Sequence, residues 1–160
     1  MIRAAARWLA VLLVLGGCGG GPPPRRPAPA LVLPALDGGE VALRAYRGRV
    51  VVLHFFTTWS MAAEADIDQL VEALGRHGAR LVIIGIALDP GGHRLVAPWR
   101  QARGVRYLVA LGTDELRSGA TSLGRIGVPT TVVIDTGGNV VARIDGPLPP
   151  GRLDELLTDL

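Results

Sequence analysis

Few side chains in this 160-residue chain could carry chemistry. It holds one thiol, Cys18, three histidines at positions 54, 77 and 93, and an acidic run of Glu64, Asp66, Asp68 and Glu72. Ser60 stands where the apolar run "RVVVLHFF" has passed into Trp59 and a helical pattern begins. A serine at a strand-to-helix corner could act as a nucleophile only with a base in hydrogen-bond reach and a third group orienting that base. The candidate base is His54, on the strand that leads into the corner. No orienting acid is evident and no Gly-x-Ser-x-Gly elbow surrounds Ser60. The plainer interpretation of His54 is a core histidine with a satisfied hydrogen bond. The three histidines fall on separate elements without His-x-x-His or His-Glu-x-x-His spacing, so no metal site is expected. Glu64 and Asp66 suit the positive end of a helix, and Asp68 and Glu72 its wet face. All 17 basic residues are arginine. A Walker lysine is therefore impossible, no glycine-rich phosphate loop follows a strand, and no cofactor is expected.

The N-terminus points to export. Arg3 and Arg7 flank or precede "WLAVLLVL", residues 8–15. That apolar run is far short of the about 20 residues needed to cross roughly 30 Å of hydrocarbon. Residues 1–17 thus read as a secretory signal peptide. Leu15-Gly16-Gly17-Cys18 resembles the bacterial lipobox, which implies lipid on Cys18 and attachment to a membrane. Residues 18–29, Gly-rich and then Pro-rich, read as a solvated tether rising about 3.1 Å per residue in polyproline form. Arg25 and Arg26 within it are either solubilising charges or a brush against anionic headgroups. Gly19 is not the aspartate associated with inner-membrane retention, so the outer membrane is favoured in a cell with two membranes. Expected localisation is exported, lipid-anchored and periplasmic. With lipid on Cys18, the folded part has no thiol at all, although an oxidising compartment would permit disulfides.

Residues 30–160 are long enough for one domain with its own core. A chain that is 49% hydrophobic and 19% charged is not disordered. Outside the leader, 15 basic residues face 14 acidic ones, scattered with no run beyond Arg25-Arg26, so nucleic acid is not an expected partner. "LVLPALDGGEVALRAY" predicts a hairpin turning at Asp37-Gly38-Gly39. Residues 49–56 and 80–88 read as buried parallel neighbours joined by a right-handed crossover. The helix between them shows Ile67, Leu70, Val71 and Leu74 as one stripe, ended by Gly75 and Gly78. A helix follows at "HRLVAPWRQARG", which Pro98 should limit or kink. Then come a weaker strand at "RYLVAL", one or two short helices in "DELRSGATSLGRIG", a hairpin turning at Thr136–Asn139, and an amphipathic C-terminal helix. The sum is an α/β fold, a mixed sheet flanked by helices on both faces, with an N-terminal β-hairpin.

This order resembles the thioredoxin-like superfamily, and within it the exported TlpA/ResA-type redoxins (AhpC/TSA-like). The likeness rests on "LDGGEVALRAYRGRVVVLHFFTTW" and "IGVPTTVVIDTGGNVVARIDG" and covers nearly the whole domain. In that family a strand and a tryptophan lead into Cys-x-x-Cys at a helix N-terminus, facing a Val-Pro-Thr loop with a cis proline. The resemblance places Trp59 on the tryptophan, Ser60 and Ala63 on the two cysteines, Val128-Pro129-Thr130 on the loop, and His54 on a buried proton-moving carboxylate. Thiol–disulfide exchange needs an attacking thiolate and a resolving thiol. Ser60-Met61-Ala62-Ala63 supplies neither, so no catalytic residue is expected there. Some relatives bind copper through two cysteines and a histidine, and those cysteines are missing too. What the resemblance leaves is a groove lined by Trp59, Met61, Val128, Pro129 and Thr130, suited to an extended segment of an extracytoplasmic protein or peptide. The same residues equally describe an ordinary half-buried loop cluster. The functional expectation is a binding or scaffold pseudo-oxidoreductase. The alternatives are a non-thiol enzyme at Ser60/His54, or participation in a thiol–disulfide pathway through a partner.

Overall fold

The computed structural model describes residues 26–160; the expected signal peptide, Cys18 and the expected tether up to residue 25 lie outside the described residues. In chain order the strands are β1 (Arg26–Pro27), β2 (Val32–Pro34), β3 (Glu40–Ala42), β4 (Val50–Phe56), β5 (Leu81–Ala87), β6 (Leu108–Leu111), β7 (Thr130–Ile134) and β8 (Asn139–Asp145). The α-helices are α1 (Met61–His77), α2 (His93–Arg103), α3 (Asp114–Ser118) and α4 (Arg152–Thr158).

The β-branched, apolar run of β4 has no polar face to give to water, so it must lie inside a sheet covered on both sides. It does: all seven of its residues are buried, and it pairs parallel with β5 and antiparallel with β7. The six-stranded mixed sheet has the order β1-β8-β7-β4-β5-β6, while β2 and β3 form the expected separate hairpin. Alternation along β4 splits the core in two. Val50, Val52 and Phe56 face α1, α2 and α4. Val51, Leu53 and Phe55 face the hairpin, through Leu33 and Val41, and α3, through Leu116. The second face is thus covered more by the hairpin than by helix.

Several expectations are corrected. The sheet begins inside the presumed tether: Arg26 and Pro27 pair with Val140 and Asn139, and Ala28 N–H donates to Gly138. Proline is tolerated there because β1 is an edge strand. Helix α1 continues through Gly75, with Gly78 as its C-cap. Its buried stripe is Ala63, Asp66, Ile67, Leu70 and Ala73, whereas Val71 is exposed. The helix is rotated so that small residues meet the sheet. Helix α2 continues past Pro98 to Arg103, so the proline does not end it. Trp99 then stacks on Phe56 with ring centroids 4.6 Å apart.

Gly85 sits mid-strand in β5, opposite His54. A Cβ there would lie 3.0 Å from Tyr107 Cε2 and 3.2 Å from Phe56 Cε1. Its bareness lets the Tyr107 ring lie against the sheet. Gly85→Ala should therefore cost about 1–3 kcal/mol by overpacking, measured by urea unfolding with near-ultraviolet circular dichroism confirming a retained fold.

Candidate functional site

The corner is built from β4 outward. Beyond Phe56 the chain turns through Thr57, Thr58 and Trp59 into α1. Thr58 is held by the buried Asp89 just past β5: its N–H contacts both carboxylate oxygens at 3.1 Å and its hydroxyl donates to Oδ1 at 2.6 Å. Asp89 is a positioning residue that sequence inspection misses, because an acid before Pro90-Gly91-Gly92 reads as turn punctuation.

Ser60 is the N-cap of α1. Its hydroxyl oxygen accepts from Ala63 N–H at 3.2 Å, and its carbonyl accepts from Glu64 N–H at 3.1 Å. A capping serine satisfies donors that the helix would otherwise leave free. Ala63 is buried and contributes a methyl group to the core. Trp59 and Met61, by contrast, stand out from the surface at 72% and 84% exposure. The Val128–Pro129 peptide bond is cis. Thr130 pairs with Phe55, so the register carries Pro129 to the level of Phe56, beside the corner. Val128 is half-buried against both cores, and Pro129, expected to line the groove, is buried beneath the loop surface. Thr130 is not a groove residue: its side chain is fully buried, with Oγ1 bonded to Gly127 O and Asp145 Oδ1. As the first residue of a strand covered on both faces, it has no open side to offer.

Beneath the corner lies a buried polar group that the sequence does not bring together. Asp66 is buried, not solvated at the helix end. Its Oδ1 accepts from Leu148 N–H at 2.9 Å, and Gln69 Nε2 donates to Leu148 O at 3.0 Å, so α1 grips both backbone groups of that loop residue. Asp66 Oδ2 stands 4.0 Å from His54 Nδ1. His54 Nδ1 also lies 3.2 Å from Thr131 Oγ1. His54 Nε2, Asp66 Oδ2 and the Tyr107 hydroxyl are buried without a hydrogen-bond partner. An acid near His54 therefore exists, contrary to expectation, but what His54 is bonded to is Thr131, and Ser60 is engaged as a cap. His77 lies 3.9 Å from Asp154 and His93 opens α2, so the three histidines remain apart. Glu64 is in the first turn of α1 as expected, and also pairs with Arg103 of α2 at 2.6 Å.

Burial fixes the charge states in this layer. Loss of hydration pushes the His54 imidazole down to about 4, only partly offset by the backbone at Ala63, so His54 is neutral at physiological pH. The same cause holds the Asp66 carboxyl above its usual range, opposed by the Leu148 N–H. Burial, and then the Asp66 charge, raise Tyr107 above the ordinary phenol range.

A sheet of this order, a cis proline beside a strand-to-helix corner and a capped helix pointing into it together define a thioredoxin-like fold. The profile of the AhpC/TSA family matches residues 24–143. The chain belongs to the AhpC/TSA family. Within it, the thiol-disulfide oxidoreductase ResA of Bacillus thuringiensis subsp. konkukian is 28% identical over 131 residues, 81% of this chain and 74% of that one. ResA of Geobacillus thermodenitrificans is 30% identical over 120 residues, 74% and 67% of the two chains. The crystal structure of a thioredoxin-family thiol:disulfide interchange protein from Chlorobium tepidum superposes with a TM-score of 0.74 at 26% identity, covering 87% of this chain and 98% of that one.

Two outcomes follow for the site. Ser60→Ala should cost about 1 kcal/mol through loss of the cap, read from urea unfolding midpoints. For His54, the unfolded imidazole titrates near 6.5 and the folded one near 4, so between these values the unfolded chain binds more protons. Its contribution is fully favourable above pH 6.5 and is lost as pH falls toward 4, a swing of about 3 kcal/mol. Asp66, raised instead, works in the opposite sense, losing stability as pH climbs through its folded value. His54→Leu should therefore remove about 2–3 kcal/mol of the difference between unfolding free energies at neutral and mildly acidic pH.

Proposed function

We propose that this is a lipid-anchored, extracytoplasmic thioredoxin-like domain that has kept the frame of a thiol–disulfide oxidoreductase and uses it to bind rather than to exchange disulfides. The observation that carries the reading is at the corner. The hydroxyl of Ser60 is spent on capping α1, and Ala63 places a buried methyl group where the resemblance calls for a second sulfur. The sole cysteine of the chain, Cys18, belongs to the lipobox-like segment and not to the domain. Disulfide exchange proceeds by thiolate attack through a mixed disulfide, and neither position can supply or resolve one.

The binding surface is formed by the exposed Trp59 and Met61, with the half-buried Val128 on the cis-proline loop; Pro129 is buried and contributes no side-chain surface. An exposed tryptophan is a strong anchor for a partner because it buries a large area at little entropic cost. The partner chemistry this supports is an extended, apolar-rich segment of another exported protein. The named activity of the ResA relatives makes a client of a thiol–disulfide pathway the natural candidate. A serine nucleophile is disfavoured because Ser60 caps its own helix and no bond joins it to His54, whose Nδ1 meets Thr131.

The wild-type protein should show no turnover of a small disulfide peptide in the presence of a reductant that recycles thioredoxins. Turnover by wild-type protein would overturn the proposal. Ser60→Cys combined with Ala63→Cys should gain at least about tenfold over that background, because the helix N-terminus that lowers a thiol pKa is already in place. A folded double variant without activity would show that more than the two thiols has been lost.

A further inference from the structure

The arginines scattered along the sequence are not scattered in space. Six arginine side chains of the described residues, namely those of Arg100, Arg103, Arg117, Arg143, Arg76 and Arg152, have carboxylate partners. Most of the others gather at one end of the sheet. Arg49 immediately precedes β4, Arg80 precedes β5, and Arg106 stands two residues before β6, and these three parallel strands all start at that end. Arg44 and Arg47 lie in the turn leading into β4, with Arg47 Nη1 donating to Gly137 O of the β7–β8 turn. Arg26 pairs opposite Val140, one step from that turn.

Beside Arg44, Arg47 and Arg49 is a cleft of about 100 Å³, lined also by Leu43, Tyr46 and Asp135 among others. The Arg49 guanidinium lies 5.3 Å over the Tyr46 ring, which keeps an aromatic at the centre of the charge. The acids at this end are fewer than the arginines. Asp135 lines the cleft and accepts from Asn139, Asp154 is taken by Arg76, and Asp159 follows α4. The corner with Trp59 and Met61 follows the opposite, C-terminal end of β4.

We infer that this arginine-rich end is a docking surface for the phosphate headgroups of an anionic bilayer. Two facts select a bilayer over a soluble anion. The surface includes Arg26, the first described residue, and the chain ahead of it carries the apolar run 8–15 and the lipobox-like Cys18. The charges are also spread across a whole end of the domain, which fits a planar array of phosphates better than one small ion. Each arginine held near such a surface is worth about a fivefold gain in partitioning at moderate salt. The domain would then stand with its arginine end on the lipid and Trp59 and Met61 turned away from it. The inference rests on the membrane attachment proposed above.

The test uses the full chain purified from membranes in detergent and reconstituted into two kinds of vesicle, pure phosphatidylcholine and phosphatidylcholine with roughly a quarter phosphatidylglycerol. Lipid on Cys18 and flotation with the zwitterionic vesicles check the attachment separately. Arginine labelling by phenylglyoxal is then read residue by residue by peptide mass spectrometry. Arg44, Arg49, Arg80 and Arg106 should label about tenfold more slowly on the anionic vesicles, with Arg94 and Arg125 unchanged and the protection lost at molar salt. Equal labelling on both vesicles overturns the inference even where flotation succeeds. So does protection spread evenly over Arg94 and Arg125. Protection reproduced by millimolar inorganic phosphate with zwitterionic vesicles also overturns it, in favour of a free-anion site. Failure to float with zwitterionic vesicles overturns the attachment instead.

Discussion

Everything in this domain hangs on a strand that cannot touch water. β4 is buried on both faces, so the chain must supply a helical layer on one side and a hairpin layer on the other, and must pair both strand edges. Those demands set the sheet order. They also bring β4 out of the sheet between β5 and β7, at the level where the Val128–Pro129 bend begins. The corner that carries Ser60 is therefore located by the burial of residues several positions earlier. Asp89, closing β5, then holds Thr58 by backbone and hydroxyl, so the exit angle of the strand is fixed by a neighbour and not by the corner itself.

The same strand brings His54 into an otherwise apolar layer, and the helix opposite answers with Asp66. The result is a small buried polar group with incompletely satisfied atoms on His54, Asp66 and Tyr107. Such groups are costly where they are not fully paired. Here they lie beneath a corner that carries Ser60 and Ala63, with no apolar core at this point. The frame around Ser60 is otherwise intact: capped helix, clamped turn, cis proline.

Much of this was legible in the residues, and the exceptions have physical causes. The hairpins were marked by glycine pairs that permit their turns, and β4 and β5 by continuous β-branched runs. The α1 stripe was misplaced because large side chains were weighted over small ones. Val71 points to solvent, while Ala63 and Ala73 are buried where helix and sheet approach closely. The burial of Asp66 is illegible because a carboxylate near a helix start fits the helix dipole equally well, and only the distant Leu148 N–H makes its burial tolerable. Strand β1 was invisible because "RRPAPA" has no alternation to read. Thr130 looked like part of a surface loop because its neighbour is the cis proline, whereas its place in β7 turns it inward. The clustering of arginines could not be read at all, since Arg49, Arg80 and Arg106 are brought together only by the parallel register of three strands.

The sulfur content of the folded unit has a consequence of a different kind. Residues 26–160 contain a single sulfur atom, that of Met61, and it lies at the surface. A domain built this way reaches its native state without an oxidant, an isomerase or a reductant, and cannot be trapped by mispaired bridges. Its folding is independent of the thiol–disulfide chemistry that its ResA relatives are named for. It can be present, folded and unchanged, in conditions where a true dithiol protein would shuttle between two forms.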